Sequence, residues 1–174
     1  MTPAQRLAWI EKWAPAAQAA QKQFGQPASV TLAQAILESS DKFGNCGQSQ
    51  CAVQANNYFG IKASGTEPYV EFSTKEYSNG HPYMEQGAHF EKFATVEDSF
   101  LRHGELIANE PRYRAAMEVC HDPVAFAAQL QACGYSTSRT YAQVLTFLIR
   151  RYQLANFDNP PEPTMPQAQK ETAA

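Results

Sequence analysis

The chain has 174 residues, 44% apolar and 18% charged, a length that suits one domain with a core needing no metal or covalent staple. Its formal net charge of −3 gives no global basic field for nucleic acid or an anionic membrane surface. The longest apolar runs fall far short of a bilayer span, so no transmembrane segment is expected.

Residues 4–24 read as a helix with Leu7, Ile10, Ala14 and Ala17 on one face and a kink expected at Pro15. Arg6, Glu11 and Lys12 interrupt its apolar residues, which a secretory leader would not allow. A leader removed from this chain, or another export route, is therefore expected. A second helix is predicted over 29–40, with Val30, Ala33, Ile36 and Leu37 inward and either a Thr31–Gln34 capping box or Ser29 as its cap. Residues 41–65, with Gly44, Gly47, Gly60 and Gly65, read as loop. Tyr69 to Tyr77 and Tyr83 to Phe93 flank Ser78-Asn79-Gly80, a β-hairpin signal because Asn and Gly both accept positive φ.

The remainder reads as helical. Thr95 caps a helix with Glu97 and Asp98 in its first turn and Val96, Phe100, His103 and Ile107 on one face. Asp122-Pro123 opens another, which Gly134 stops. Ser138 is the expected cap of a last helix carrying Tyr141, Val144, Leu145, Leu148, Ile149 and Tyr152 as an apolar stripe. After Asn156 the sequence becomes too Pro-rich and polar to pack. The expected units are an N-terminal helix (1–25), a helical domain with one inserted hairpin (26–156) and a disordered tail (157–174). A helical body with a projecting hairpin leaves a groove between the two.

Four cysteines allow three pairings, of which Cys46–Cys51 with Cys120–Cys133 is the simplest. That pairing implies an oxidising compartment; buried free thiols and a zinc site are the alternatives, and neither spacing is that of a zinc knuckle. His81, His89, His103 and His121 show no metal spacing, and His103 on an apolar face reads as a hydrogen-bonded core residue. No cofactor motif is present. Glu38, at the end of the apolar run Ala-Ile-Leu-Glu, is either a solvated helix-end charge or a partly desolvated carboxyl with a raised pKa. The second state is what a general acid for a glycosidic oxygen needs.

Four segments then share one resemblance: residues 27–39 (Pro-Ala-Ser-Val-Thr-Leu-Ala-Gln-Ala-Ile-Leu-Glu-Ser), Asn56 to Lys62 (Asn-Asn-Tyr-Phe-Gly-Ile-Lys), Thr74 to Gly80 (Thr-Lys-Glu-Tyr-Ser-Asn-Gly), and Gly134-Tyr135-Ser136-Thr137 with Tyr141-Ala142. In this order, over roughly residues 26–154, they resemble the glucosaminidase domain of glycoside hydrolase family 73. The resemblance implies an α+β, mainly α fold, with a lysozyme-like α-lobe and a small β-hairpin lobe bordering the cleft. It implies hydrolysis of the β-1,4 bond after N-acetylglucosamine in peptidoglycan. By position, Glu38 matches the general acid and Glu76 the second carboxylate most often proposed, with Glu71 in reserve. Asn57, Phe59, Gly60, Tyr135 and Tyr141 match residues expected to shape the cleft or bind substrate. Two departures stand out. Ser39-Ser40-Asp41 replaces the usual Gly-Trp-Gly after the acid, and Ser138 stands where aspartate is common.

Two rivals follow from the same residues: a lytic transglycosylase, which closes an anhydro ring without water, and a cell-wall-binding module without turnover. The expected site of action is the periplasm or extracellular wall. The settings are an injected antibacterial toxin, a phage lysin or a domain of a longer autolysin; a toxin would need a cognate immunity protein occluding the cleft.

Overall fold

The computed structural model describes residues 1–158 except 79–80, with the backbone alone between 74 and 85. The Asn79-Gly80 turn and the segment from residue 159 lie outside the described residues. Seven α-helices and one hairpin are formed among them: α1 (Pro3–Phe24), α2 (Ala28–Glu38), α3 (Gln50–Ala55), β1 (Tyr69–Ser78), β2 (His81–Glu91), α4 (Val96–Asn109), α5 (Arg114–Met117), α6 (Pro123–Ala132) and α7 (Tyr141–Arg151). The expected mainly helical fold with one hairpin is the one observed.

α2 is the axis of the helical lobe. Every residue from Ala28 to Ile36 is buried, because α1, α6 and α7 pack around it. A helix buried on all sides can carry polar side chains only where they are satisfied, and here they are. Thr31 donates to the Pro27 carbonyl, and Gln34 donates to the Tyr141 hydroxyl at 2.9 Å. Leu37 and Glu38 are the first exposed positions, so the helix breaks the surface at its C-terminal end. α1 runs unbroken through Pro15, with Thr2 and Gln5 forming a capping box and Gly25 closing it in the left-handed region at φ 89°.

Several caps differ from expectation. Neither Ser29 nor Thr31 caps α2: Pro27 holds the cap position, and the Asp158 carboxylate accepts from the Ser29 amide (2.8 Å) and hydroxyl (2.7 Å). Phe157 and Asp158, placed by composition in the tail, thus belong to the packed domain; Phe157 ends a 3₁₀ turn that begins at Leu154. Thr140, not Ser138, holds the cap position of α7, and the Ser138 hydroxyl instead accepts from the Thr140 amide. The expected 41–65 loop contains α3, capped by Ser49. The Thr95–Asp98 and Asp122–Pro123 starts form as expected.

β1 and β2 pair antiparallel, with a bulge between Phe72 and Thr74. Phe72 faces Ala88 while Thr74 faces Glu85, so the extra residue lies in β2 around Gly87, whose φ of 70° explains the glycine. Phe72, Ala88 and Phe90 make a small second core with Cys51 and Val70. Asn57 sews this lobe to the helical one. Its side-chain amide donates to the Ile61 and Glu91 carbonyls, both at 2.9 Å, and its oxygen accepts from the Phe59 and Ile61 amides.

The two expected disulfides are not formed; all four thiols are free. Cys46 turns into the main core, whereas Cys51 turns into the hairpin core, so the short spacing does not bring them face to face. Cys120 and Cys133 are partly buried against the main core. The compartment argument built on paired cysteines loses its support.

Candidate active site

The end of α2, the 57–62 turn, β2 and the segment after α6 enclose a cleft of about 610 Å³. Glu38, Phe59, Gly60, Phe90, Tyr113 and Tyr135 are among its walls, and Glu38 is the only carboxylate among the described residues lining it. Ser39 anchors the helix end that carries it. The Ser39 hydroxyl donates to the Ala35 carbonyl (2.5 Å) and accepts from the Gly47 amide (2.9 Å), and its carbonyl accepts from the Gln48 and Ser49 amides. Ser40 donates to the Ile36 carbonyl. Where the family usually places Gly-Trp-Gly, these serines tie the loop to the helix. Asp41 continues the job, accepting from the Phe43 and Asn45 amides, both at 2.9 Å.

Glu38 is open to the cleft, yet protein crowds its carboxyl from the remaining sides. That loss of water pushes its pKa from the ordinary 4.5 to about 7. Its place at a helix C-terminus acts in the same direction, since the last carbonyls carry partial negative charge.

Behind the acid lies a buried polar and aromatic stack. His103 is 1% exposed, and burial drops its pKa to about 3, so the ring is neutral. Thr31 donates its hydroxyl proton to Pro27, so it accepts from the Gln26 amide nitrogen at 2.9 Å; the same nitrogen lies 3.3 Å from His103 Nδ1. An amide donating to Nδ1 leaves the ring proton on Nε2, which then donates to the Tyr135 hydroxyl at 3.2 Å. His103 also stacks on Phe59, centroids 4.1 Å apart, and Tyr135 stacks on Tyr141 at 5.4 Å. Burial, reinforced by the nearby Glu38 charge, drives both phenols well above their ordinary pKa. Both remain neutral donors at any working pH.

The candidate residues divide. Glu38, Phe59, Gly60 and Tyr135 meet at the cleft. Asn57 does not: it is fully buried, with its side chain committed to backbone groups. Tyr141 sits beneath Tyr135, 3% exposed, its hydroxyl held by Gln34. Both shape the cleft from behind rather than face a ligand. Glu76 pairs through its backbone with Tyr83, and its side chain lies outside the described residues. Glu71 is exposed and lies 3.4 Å from His89, away from the Phe72 core. His103, Tyr113 and Lys62 line the cleft without having been singled out as site residues. Lys62 belonged to the Asn56–Lys62 motif; nothing in the spacing around Tyr113 marks it.

Comparison with known proteins identifies the family of the chain. Residues 14–154 match the glucosaminidase family model, described as mannosyl-glycoprotein endo-beta-N-acetylglucosaminidase. The chain is 33% identical over 135 residues to exo-glucosaminidase LytG of Bacillus subtilis, covering 75% of this chain and 45% of that protein. It is 33% identical over 155 residues to peptidoglycan hydrolase FlgJ of Escherichia coli K12, covering 86% of this chain and 47% of that one. The match thus spans about half the length of each of these relatives. The catalytic domain of the Listeria monocytogenes autolysin Auto superposes with a TM-score of 0.75 at 30% identity, covering 91% of this chain and 90% of that one. The chain belongs to the glucosaminidase family, glycoside hydrolases with a helical lobe and a small hairpin lobe about the cleft.

Proposed function

We propose that this domain hydrolyses the β-1,4 bond after N-acetylglucosamine in peptidoglycan strands, with Glu38 as general acid. The observation that carries the reading is Glu38, a cleft carboxyl whose pKa is raised to about 7 by burial, so that it keeps its proton close to neutral pH. The peptidoglycan substrate is supported by the relatives, among them a FlgJ peptidoglycan hydrolase and an autolysin.

In this reading the protonated Glu38 gives its proton to the glycosidic oxygen as the bond to the anomeric carbon breaks. Tyr135, fixed from behind by His103, presents a neutral hydroxyl beside it. Water attacks the opposite face of the sugar. Glu76 on the hairpin is the proposed base for that water; an inverting pair stands roughly 6.5–9.5 Å apart. The alternative nucleophile is the substrate's own N-acetyl group. The proposed place of action is the bacterial wall, periplasmic or extracellular, and a protective partner would have to cover the Glu38 cleft.

The test is digestion of purified sacculi followed by mass spectrometry of the released muropeptides. Fragments ending in reducing N-acetylglucosamine are expected. Anhydro-sugar ends, one water lighter, would make the enzyme a transglycosylase, and binding without release would make the domain a wall-binding module.

A further inference from the structure

Arg112 lines the Glu38 cleft. It belongs to a 3₁₀ turn, Pro111–Tyr113, that follows α4 and stands on the helical side of the cleft with Tyr113 and Tyr135. Two features hold its guanidinium in place. Pro111 fixes the start of the turn, and the guanidinium lies 4.5 Å over the ring of Tyr113, which is itself only 1% exposed. The side chain is thus braced on a buried ring while remaining open to solvent.

The arginines on either side of it in sequence are engaged. Arg102 pairs with Glu91 and Glu105, both at 3.3 Å, and Arg114 pairs with Glu118 at 3.6 Å. Arg112 has no carboxylate within ion-pair distance among the described residues. Nor is it set against the acid: a cation paired with Glu38 would lower that pKa, which is instead raised to about 7. On the hairpin side of the same cleft, Lys62 bridges to Phe90 of β2 and holds its ammonium 4.6 Å over that ring.

The proposed substrate carries the matching charge. Cleavage after N-acetylglucosamine leaves an N-acetylmuramic acid whose O4 takes the proton from Glu38. The adjacent O3 bears a lactyl ether, and its carboxyl is either free or extended into a peptide stem with carboxylates of its own. A strand of N-acetylglucosamine alone has no charge at all. An arginine fork meets a carboxylate through two parallel hydrogen bonds, a match that neutral hydroxyls and acetamides cannot make.

We infer that Arg112 sets specificity in this cleft: it binds a carboxylate on the muramic acid side of the scissile bond and so selects peptidoglycan over neutral N-acetylglucosamine polymers. The inference rests on the glycan-hydrolase reading above. The carboxylate has two possible sources, the lactyl group and the stem.

The test compares kcat/KM of the full chain and its Arg112→Gln variant on soluble, uncrosslinked glycan strands. One preparation bears stems, and a second is trimmed by an amidase to the free lactyl carboxylate. Each is also used with its carboxylates converted to neutral methylamides. On stem-bearing strands the ratio of variant to parent should be about tenfold lower than on their methylamides, chiefly through KM, the size of effect for losing a charge-assisted hydrogen bond. The same difference between trimmed strands and their methylamides assigns the lactyl carboxylate, and a difference confined to stem-bearing strands assigns the stem. An equal ratio on charged and neutralised strands, whether high or low, would overturn the inference, while cleavage by the parent would leave the hydrolase reading standing. If the parent cuts none of the preparations, both fall.

Discussion

Replacing His103 by phenylalanine probes the buried support of the cleft, and the structure sets its magnitude. Phenylalanine keeps the ring that stacks on Phe59 but removes the links to Tyr135 (3.2 Å) and Gln26 (3.3 Å). Gln26 retains Thr31, so the main loss is the partner of the Tyr135 hydroxyl, roughly 1–3 kcal/mol. Acid works the other way. His103 has its pKa lowered from 6.5 to about 3 in the folded state. Below pH 6.5 the unfolded chain therefore binds a proton that the folded chain refuses, and the native state loses about 1.4 kcal/mol per pH unit from this group. Between pH 6.5 and pH 4.5 that amounts to about 3 kcal/mol, a loss the phenylalanine variant does not suffer. Urea unfolding should thus show His103→Phe less stable than the parent by about 1–3 kcal/mol at pH 7.5, with the gap closed or reversed at pH 4.5. The difference between the two proteins cancels the titration of the carboxylates they share. A gap of the same size at both pH values would refute a neutral, buried His103.

The alkaline limb of the activity profile should report Glu38. kcat/KM is expected to fall above about pH 7, approaching tenfold per unit, as the acid loses its proton; a midpoint near 4.5 would contradict the desolvated carboxyl. On the hairpin, Glu76→Gln should lower sacculus digestion at least about tenfold and Glu71→Gln change it little, since Glu71 is exposed beside His89. Azide rescue of Glu76→Gln with the opposite anomer would support a base, and a damaged Glu71→Gln would reverse the assignment. Burial pushes the Cys51 thiol from 9.0 up to about 11, so at pH 8 its thiolate fraction is about a hundredfold lower than for an ordinary thiol. Alkylation followed by peptide mass mapping should find Cys51 labelled slowly, and rapid labelling would contradict its packed setting.

Much of the architecture could be read from periodicity, because the helices that build the lobe bury continuous stripes. Leu145, Leu148 and Ile149 on α7 and Phe100, His103 and Ile107 on α4 are buried where their spacing places them. Glu38 was legible through its motif. What periodicity cannot show is a partner distant in the chain. The cap of α2 comes from Asp158, 129 positions away, and His103 meets Gln26 across 77. The motif around Asn57 marked it as part of the site but not which way it faces; it turns inward to make three hydrogen bonds with the turn's backbone and one with the Glu91 carbonyl of β2. Cysteine spacing failed for a related reason, since Cys46 and Cys51 sit close in sequence while serving two different cores. α3 has six residues, too few to display a helical period.

The most direct test of the central claim is Glu38→Gln, which keeps the shape of the side chain and removes its acidic proton. Muropeptide release from purified sacculi should fall by roughly 10²–10⁴-fold or more, while circular dichroism and the urea midpoint show an intact fold. Release close to that of the parent from a folded Glu38→Gln protein would contradict Glu38 as the acid.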